Sequence, residues 1–178
     1  MYKQENLKQE TWQKETALTD YCDGFETDPS SLLQAAIEQT VVNMQDLPFF
    51  HAAVQCYCPK AVLFENQWIT TIVAPWMISL VILPGPQQQW PIRELGEKLI
   101  VELPYKKLTF TVSGMAEIPQ YLSCSLHSPL DKSLTNAQAR QLAKDCLTMA
   151  LSLPIKQHTE NSLKNENRRH IFKNMLTN

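Results

Sequence analysis

The sequence predicts a single α+β domain, in which an N-terminal and a C-terminal helix pack on a mainly antiparallel sheet. Two segments with apolar residues at helical spacing flank a middle region of short β-branched and aromatic runs. These runs follow one another too closely for helical crossovers to fit between them, so neighbouring strands are expected to be antiparallel. We therefore expect a two-layer sandwich with both helices on one face of the sheet.

The first helix is predicted to begin near Asp28. This carboxylate can accept hydrogen bonds from the free N–H groups of the first turn, and Pro29 suits the first helical position. Apolar residues then recur at helical spacing, at Leu33, Ile37, Val41 and Met44. The second helix is predicted to begin at Thr135, which forms a capping box with Gln138, and to end before Pro154.

Six strands are predicted between the helices, each rich in β-branched or aromatic residues. They span residues 62–64, 68–73, 76–83, 99–101, 108–112 and 121–126. Asn66 and Gln67 are the expected turn between the first two strands. Pro84 and Pro86 end the third strand because neither residue can donate to a strand ladder, and they are expected to leave this strand end open to a guest.

Composition divides the chain of 178 residues into three parts. Residues 1–24 are rich in Gln, Glu, Lys and Thr and predict a flexible acidic head, since residues 1–26 hold three lysines against six acids. The α+β domain is expected to span residues 25–154. Residues 155–178 hold five basic residues against two acids and predict a basic polar tail, either frayed or forming a short amphipathic helix.

The charge of the chain argues against nucleic acid and membrane surfaces as partners. The chain has 16 basic and 18 acidic side chains, whereas both of those partners select strongly basic surfaces. It begins without an apolar signal-peptide run, and its five cysteines are odd in number and irregularly spaced. We therefore expect a cytoplasmic protein with free thiols and no stable membrane insertion.

The residue types that carry catalysis or hold cofactors are not grouped in this sequence. The four glycines lie too far apart for a phosphate-binding loop. Cys56 and Cys58 lack the second ligand pair of a zinc site and are expected to be core thiols. Cys124 and His127 have opposite parity in a strand, so they are not expected to form a catalytic pair. We predict no catalytic residue, no metal site and no cofactor.

The stretch from residue 66 to residue 92 is the most unusual part of the chain. Its 27 residues carry no charge and include three of the four tryptophans. One interpretation is a central hairpin buried on both faces, and the other is that part of the stretch forms an exposed apolar groove. The groove interpretation predicts a partner-binding site, formed by Trp76, Met77 and Trp90 together with the flanking carboxylates of Glu65, Glu94 and Glu97.

Eight short segments, taken in order, resemble one family. They are Asp46-Leu47-Pro48-Phe49, Phe64-Glu65-Asn66-Gln67-Trp68, Pro75-Trp76-Met77, Leu83-Pro84-Gly85-Pro86, Trp90-Pro91, Leu103-Pro104-Tyr105, Phe110-Thr111-Val112 and the run 121–129. Their order and spacing resemble the nickel–iron hydrogenase assembly chaperones of the HybE type, over residues 25–154. The resemblance implies a two-layer α/β domain of the kind seen in secretion chaperones.

The resemblance also implies a function. Chaperones of this type are thought to bind the precursor of the hydrogenase small subunit through its twin-arginine signal peptide, and to delay export until the cofactors are in place. Other maturation factors are further expected partners. Some relatives carry a rubredoxin module with paired CxxC motifs, which this sequence lacks, so iron binding is not implied. The alternative is a metal- or thiol-handling maturation factor that uses Cys56, Cys58 and Cys124.

Overall fold

The structure is a computed structural model that describes residues 21–152. In chain order its elements are β1 (Tyr21–Asp23), α1 (Ser30–Met44), β2 (Val62–Phe64), β3 (Gln67–Ala74), β4 (Met77–Pro84), β5 (Gln89–Pro91), β6 (Lys98–Glu102), β7 (Lys107–Met115), β8 (Ile118–His127) and α2 (Asn136–Leu151). Residues 1–20 of the predicted head and the predicted tail, residues 155–178, lie outside the described part of the chain. Neither described helix is long and apolar enough to cross a membrane.

Six strands form one antiparallel sheet in the order β2-β3-β4-β8-β7-β6. These are the six strands that the sequence predicts. The other two strands, β1 and β5, pair with each other in a separate two-stranded sheet. The α+β class, the mainly antiparallel sheet and the two terminal helices packed on it are thus confirmed.

The β3–β4 hairpin is the centre of the fold and is buried on both faces. Every residue from Ile69 to Ala74 and from Ile78 to Pro84 is buried. A strand that is apolar on both faces is stable only where both faces are covered. For these two strands, the interpretation of the uncharged stretch as a buried central hairpin is therefore confirmed.

Helix α1 covers one face of this hairpin. Residues paired across neighbouring strands point to the same face, and such pairs alternate between the two faces along the strands. On the α1 face, strand and helix residues share one core cluster, which includes Ile72, Val81, Leu83, Leu33, Ala36 and Ile37. The Thr70 side chain lies on the same face, since Thr70 pairs with Val81.

Helix α2 covers the opposite face. The core cluster there includes Ile69, Leu80, Ile82, Phe110, Leu147 and Ala150. Thr71 points the same way, and its Oγ1 donates to the carbonyl oxygen of Ala143 at 3.0 Å. The prediction that both helices pack on one face is therefore wrong, and the expected two layers become a sheet with a helix layer on each face. The physical reason is that the central hairpin has no polar face to leave in water.

Both helices begin with the chemistry that the sequence predicts. Asp28 Oδ1 accepts the N–H of Ser30 at 2.9 Å, although Pro29 is the N-cap and α1 begins one residue after it. The capping box of α2 is confirmed, because Thr135 Oγ1 accepts the N–H of Gln138 at 3.3 Å. In return, Gln138 Oε1 accepts the N–H of Thr135 at 2.9 Å.

The turn between β2 and β3 lies one residue earlier than predicted. It is formed by Glu65 and Asn66, whose φ angles are 47° and 61°, and Gln67 already pairs with Phe64 in the ladder. A two-residue turn with both φ angles positive matches the right-handed twist of the flanking strands. The turn therefore sets the register of the short edge strand β2.

The head boundary predicted at residue 24 falls inside the fold. Strand β1 pairs with β5, and the Gly24 N–H donates to the Gln88 carbonyl oxygen at 2.7 Å. The Phe25 N–H donates to the Pro84 carbonyl oxygen at 3.1 Å. The end of β4, predicted to be open to a guest, is therefore occupied by the chain itself. Strands of three residues carry too little periodic pattern to be predicted from sequence.

Burial on both faces predicts equal costs for removing two neighbouring side chains of β4. Ile82 packs on the α2 side and Leu83 on the α1 side, and both are fully buried. Ile82→Ala and Leu83→Ala should each lower the free energy of unfolding by about 2–5 kcal/mol, measured by urea denaturation. Ile100→Ala is the control, because Ile100 is 75% exposed. It should change the free energy of unfolding by less than about 0.5 kcal/mol. A near-neutral Leu83→Ala would contradict coverage by α1.

Candidate partner-binding site

The six residues predicted to bind a partner fall into two groups at opposite ends of the central hairpin. Trp76 and Met77 lie at the β3–β4 turn, where Ala74 pairs with Met77. Trp90 lies in β5, beside the end of the hairpin at which Gln67 pairs with Pro84. At about 3.4 Å per residue, the two ends of an eight-residue hairpin are separated by more than about 20 Å. The structure therefore does not bring the two groups together.

Trp76 belongs to the core. Its side chain is 8% exposed, and its ring stacks on the ring of Phe50 with centroids 6.5 Å apart. Its carbonyl oxygen accepts a hydrogen bond from Ser128 Oγ at 3.3 Å. The neighbouring Met77 is partly buried, and its Sδ accepts the Ser79 hydroxyl at 3.4 Å. Both residues are thus committed to internal contacts on the α1 side of the hairpin.

Trp90 lies at a surface cleft of about 200 Å³ on the α2 side of the sheet. The cleft is lined by Gln67, Trp90, Pro91, Arg93, Leu99, Gln120 and Leu122. Trp90 is half-buried, and its indole N–H donates to Gln88 Oε1 at 3.3 Å. The tryptophan, Leu99 and Leu122 give the cleft an apolar wall, and the amides supply hydrogen-bonding groups.

Gln120 holds the cleft together, although it is not among the predicted site residues. Its side chain is buried, and its Nε2 donates to the Pro91 carbonyl oxygen at 3.0 Å. Its Oε1 accepts the Arg93 N–H at 2.8 Å. These two bonds tie the end of β5 and the segment that follows it to the start of β8. The one available sequence signal was a lone amide directly before a predicted apolar strand, which is too common to identify a site.

Carboxylates gather around the end of the domain that carries the cleft. Glu97 accepts a hydrogen bond from the Arg93 guanidinium at 2.7 Å, so the charge of this arginine is already paired. Glu94 is exposed, one residue beyond Arg93, and Glu65 is exposed at the β2–β3 turn. Two further acids, Asp23 and Glu26, were not predicted to belong here. Asp23 falls within the predicted flexible head, and Glu26 lies just beyond it.

Hydrogen bonds place those two acids at the same end. Asp23 Oδ1 accepts from Gln89 Nε2 at 2.8 Å, and Glu26 Oε1 accepts the N–H of Gln87 at 3.0 Å. The Asn66 side-chain amide donates to the Pro86 carbonyl oxygen at 3.1 Å, which brings the Glu65 turn to this end as well. We refer to Asp23, Glu26, Glu65, Glu94 and Glu97 as the acidic rim.

The cysteines named in the alternative function lie on opposite sides of the sheet. Cys56 and Cys58 belong to the α1-side core, where Cys58 Sγ lies 3.6 Å from Thr70 Oγ1. Cys124 pairs with Leu80 and therefore points to the α2 side. Burial raises the pKa of Cys56 to about 11 and that of Cys58 to about 12. Among residues 21–152, no three side chains of the metal-binding types are grouped.

The prediction that Cys124 and His127 face opposite sides of the sheet is wrong. A bulge in the β4–β8 ladder lets Ile78 pair with His127 and Leu80 with Cys124, so both residues lie on the α2 side. Even so, His127 Nε2 accepts the Asp131 N–H at 3.4 Å, which directs the ring to the following loop. Burial also raises the pKa of the Cys124 thiol. The geometry thus provides no activated thiol–imidazole pair.

An apolar and amide-lined cleft with a carboxylate rim, built on the edge of a buried sheet, is typical of a protein-binding domain. Comparison with known families identifies the class. Residues 28–174 match the family described as "[NiFe]-hydrogenase assembly, chaperone, HybE". The chain belongs to this family of hydrogenase assembly chaperones. The match extends past the predicted end of the domain at residue 154, into the predicted tail.

Individual relatives agree with this assignment. The "Hydrogenase-2 operon protein HybE" of Escherichia coli K12 is 44% identical over 139 residues, which cover 78% of this chain and 86% of that protein. The solution structure of HybE from Escherichia coli superposes with a TM-score of 0.66 at 43% identity, covering 80% of this chain and 88% of that one. The "Hydrogenase expression/formation protein HupJ" of Bradyrhizobium diazoefficiens is 27% identical over 111 residues, or 62% of this chain and 63% of that protein.

The two tryptophans should differ in their effect on stability. Trp76→Ala removes a buried ring and should lower the free energy of unfolding by about 3–5 kcal/mol. Trp90→Ala removes a half-buried ring at a cleft and should cost about 1–2 kcal/mol. Urea denaturation of both variants measures the difference. Equal losses would mean that Trp90 is a core residue and that the cleft is not an open site.

The raised pKa values predict unreactive thiols. At pH 8, the thiolate fractions of Cys56 and Cys58 are about 100-fold or more below that of an exposed cysteine. Both should therefore react with iodoacetamide at least about 100-fold more slowly in the folded chain than in urea, followed by peptide mass spectrometry. Rapid alkylation of Cys56 without unfolding would contradict its burial.

Proposed function

We propose that this chaperone binds the precursor of the hydrogenase small subunit through its twin-arginine signal peptide, and delays export until the cofactors are inserted. In this proposal the protein acts in the cytoplasm, where the precursor is made, and other maturation factors join it there. The observation that carries the proposal is the cleft beside Trp90, with its acidic rim.

The chemistry of the cleft matches that of such a peptide. A twin-arginine signal peptide presents two positive charges followed by an apolar segment. The apolar segment is placed against Trp90, Leu99 and Leu122, where an aromatic anchor concentrates binding energy. The two arginines are placed near the acidic rim, where Glu65 and Glu94 are exposed. Trp76 and Met77 have no part in this site, because they lie at the far end of the hairpin.

The geometry gives less support to a metal- or thiol-handling function. Such a site needs Cys56, Cys58 and Cys124 to converge, and the sheet separates the first two from the third. A thiolate ligand must also be deprotonated, which burial opposes at Cys56 and Cys58. Changing both to alanine should leave hydrogenase maturation intact. Loss of maturation with a folded, soluble variant would favour the thiol function.

The direct test compares two forms of the small subunit. The precursor and the same subunit without its signal peptide are each titrated against the full chain, with calorimetry as the readout. We expect binding of the precursor to be at least about tenfold tighter. Equal binding of the two forms would mean that the mature part of the subunit is the ligand, and would overturn the proposal.

Charge-neutralising variants test the rim itself. The double variant Glu65→Gln with Glu94→Gln should weaken precursor binding by about 5–10-fold at low salt, and the difference should disappear near 0.5 M salt. The matched control is Glu38→Gln with Asp145→Asn, two exposed acids on the helices. The control should bind like the parent chain. Equal weakening in both double variants would indicate a general charge effect without a local site.

A further inference from the structure

The outer edge of β6 is unpaired in the described part of the chain. β6 is the last strand of the six-stranded sheet, and its other side pairs with β7. The Val112 N–H donates to the Glu97 carbonyl oxygen at 2.8 Å, and the Leu103 N–H donates to the Lys106 carbonyl oxygen at 3.2 Å. In an antiparallel ladder, residues that bond inward alternate with residues whose N–H and C=O groups point outward.

This alternation identifies the groups that β6 presents to solvent. Since residues 97 and 103 bond inward, residues 99 and 101 do so as well. The backbone groups of Lys98, Ile100 and Glu102 therefore point away from the sheet. The side chains of these residues share the face opposite α2, and Ile100 is 75% exposed. The five-residue edge thus presents three side chains in one row: a basic, an apolar and an acidic one.

The geometry points to a second copy of this chain as the partner of the edge, paired antiparallel with β6 and centred on Ile100. In that register Lys98 lies opposite Glu102 of the second copy, and Glu102 lies opposite Lys98 of the second copy. Ile100 meets its own counterpart. The three outward-facing residues of each strand form about six backbone hydrogen bonds across the two-fold axis. The two sheets become one continuous sheet.

The alternatives to this register lose its complementarity. A parallel arrangement with the strands in register places lysine beside lysine and glutamate beside glutamate. A shift of two residues places Ile100 opposite Lys98 and leaves Glu102 without a counterpart. A shift of one residue turns the apolar side chains to the wrong faces. The charges of Lys98 and Glu102 are thus placed symmetrically about Ile100, as a self-pairing strand requires.

The contact between two five-residue strands is small. Its area falls below the roughly 800 Å² per partner of a standard protein interface. The dimer is therefore weak and forms at high protein concentration. In the single chain, Glu102 Oε2 lies 3.3 Å from Lys107 Nζ, and both side chains remain mostly exposed. Glu102 therefore remains accessible to a lysine from the second copy.

Charge reversal tests the proposal by sedimentation equilibrium of the full chain, over about 10 μM to 1 mM. Lys98→Glu and Glu102→Lys should each weaken self-association by about tenfold or more, because each replaces two opposite-charge pairs by two like-charge pairs. The double variant K98E/E102K should return to within about threefold of the parent chain. An equimolar mixture of the two single variants should associate as a heterodimer, since opposite charges face each other again.

Two controls separate the edge from other effects. Lys107→Gln removes the pair within the hairpin and should leave self-association unchanged. Ile100→Lys should abolish it while the chain stays folded, because the Ile100 side chain is exposed. A parent chain that stays monomeric to 1 mM, or a double variant as weak as the single ones, would overturn the proposal. Concentration-independent protection of the Ile100 amide from exchange would also overturn it, in favour of a residue outside 21–152 on this edge.

The test of self-association is independent of the test of precursor binding. Self-association is measured without any hydrogenase subunit, and the binding test described above does not alter the β6 edge. Failure of one proposal therefore leaves the other standing.

Discussion

Burial of the uncharged β3–β4 hairpin on both faces is the constraint on which the rest of this fold depends. Apart from Gln67 at the start of β3, strands β3 and β4 consist of apolar and hydroxyl side chains, and thirteen of their sixteen residues are buried. Leaving either face in water would expose a row of Ile, Leu and Val side chains, at about 1.5–3 kcal/mol for each one. One helix is therefore needed on each face, and the remaining strands extend the sheet to either side.

The same hairpin positions the cleft. At the end where Gln67 pairs with Pro84, the backbone of Gly85 approaches so near to the Asn66 carbonyl oxygen that a Cβ on Gly85 would collide with it. Gly24 lies equally close to the Gly85 carbonyl oxygen. These glycine contacts allow β1 and β5 to pack tightly against the hairpin end, and β5 carries Trp90. The buried amide of Gln120 then fixes the segment that follows β5. The cleft thus derives from close backbone packing at one end of the core.

Elements with a repeated pattern or a specific cap are predictable from this sequence. The Thr135 capping box and the six strands of the main sheet belong to this group. The short strands β1 and β5 do not, because three residues carry too little pattern. The packing of one helix on each side of the sheet could in principle have been predicted, since a stretch without any polar face requires cover on both sides. The bulge that moves His127 to the side of Cys124 leaves no mark in the sequence.

The candidate site was predictable only in part, for a related reason. Composition identifies Trp76 and Trp90 equally, as large aromatic residues beside prolines in an uncharged stretch. Their difference arises from tertiary packing: Trp76 stacks on Phe50, whereas Trp90 borders the open cleft. The acids that join the rim come from separate segments, so no local window contains them. Asp23 and Glu26 reach the rim because the β1–β5 pairing carries the start of the domain there.

A core that is closed on both faces also restricts how such a chaperone can hold a protein. Within residues 21–152 the middle of the sheet is covered on both faces, so an incoming segment has the perimeter available, namely the cleft and the strand edges. A cleft of about 200 Å³ is smaller than typical ligand pockets of about 300–1,000 Å³ and accepts one or two apolar side chains. Burying one or two apolar side chains contributes about 2–6 kcal/mol to the free energy of binding. Each exposed ion pair adds up to about 1 kcal/mol. Under the proposed function, the complex is therefore expected to be of modest affinity and to dissociate readily, as release of the precursor for export requires.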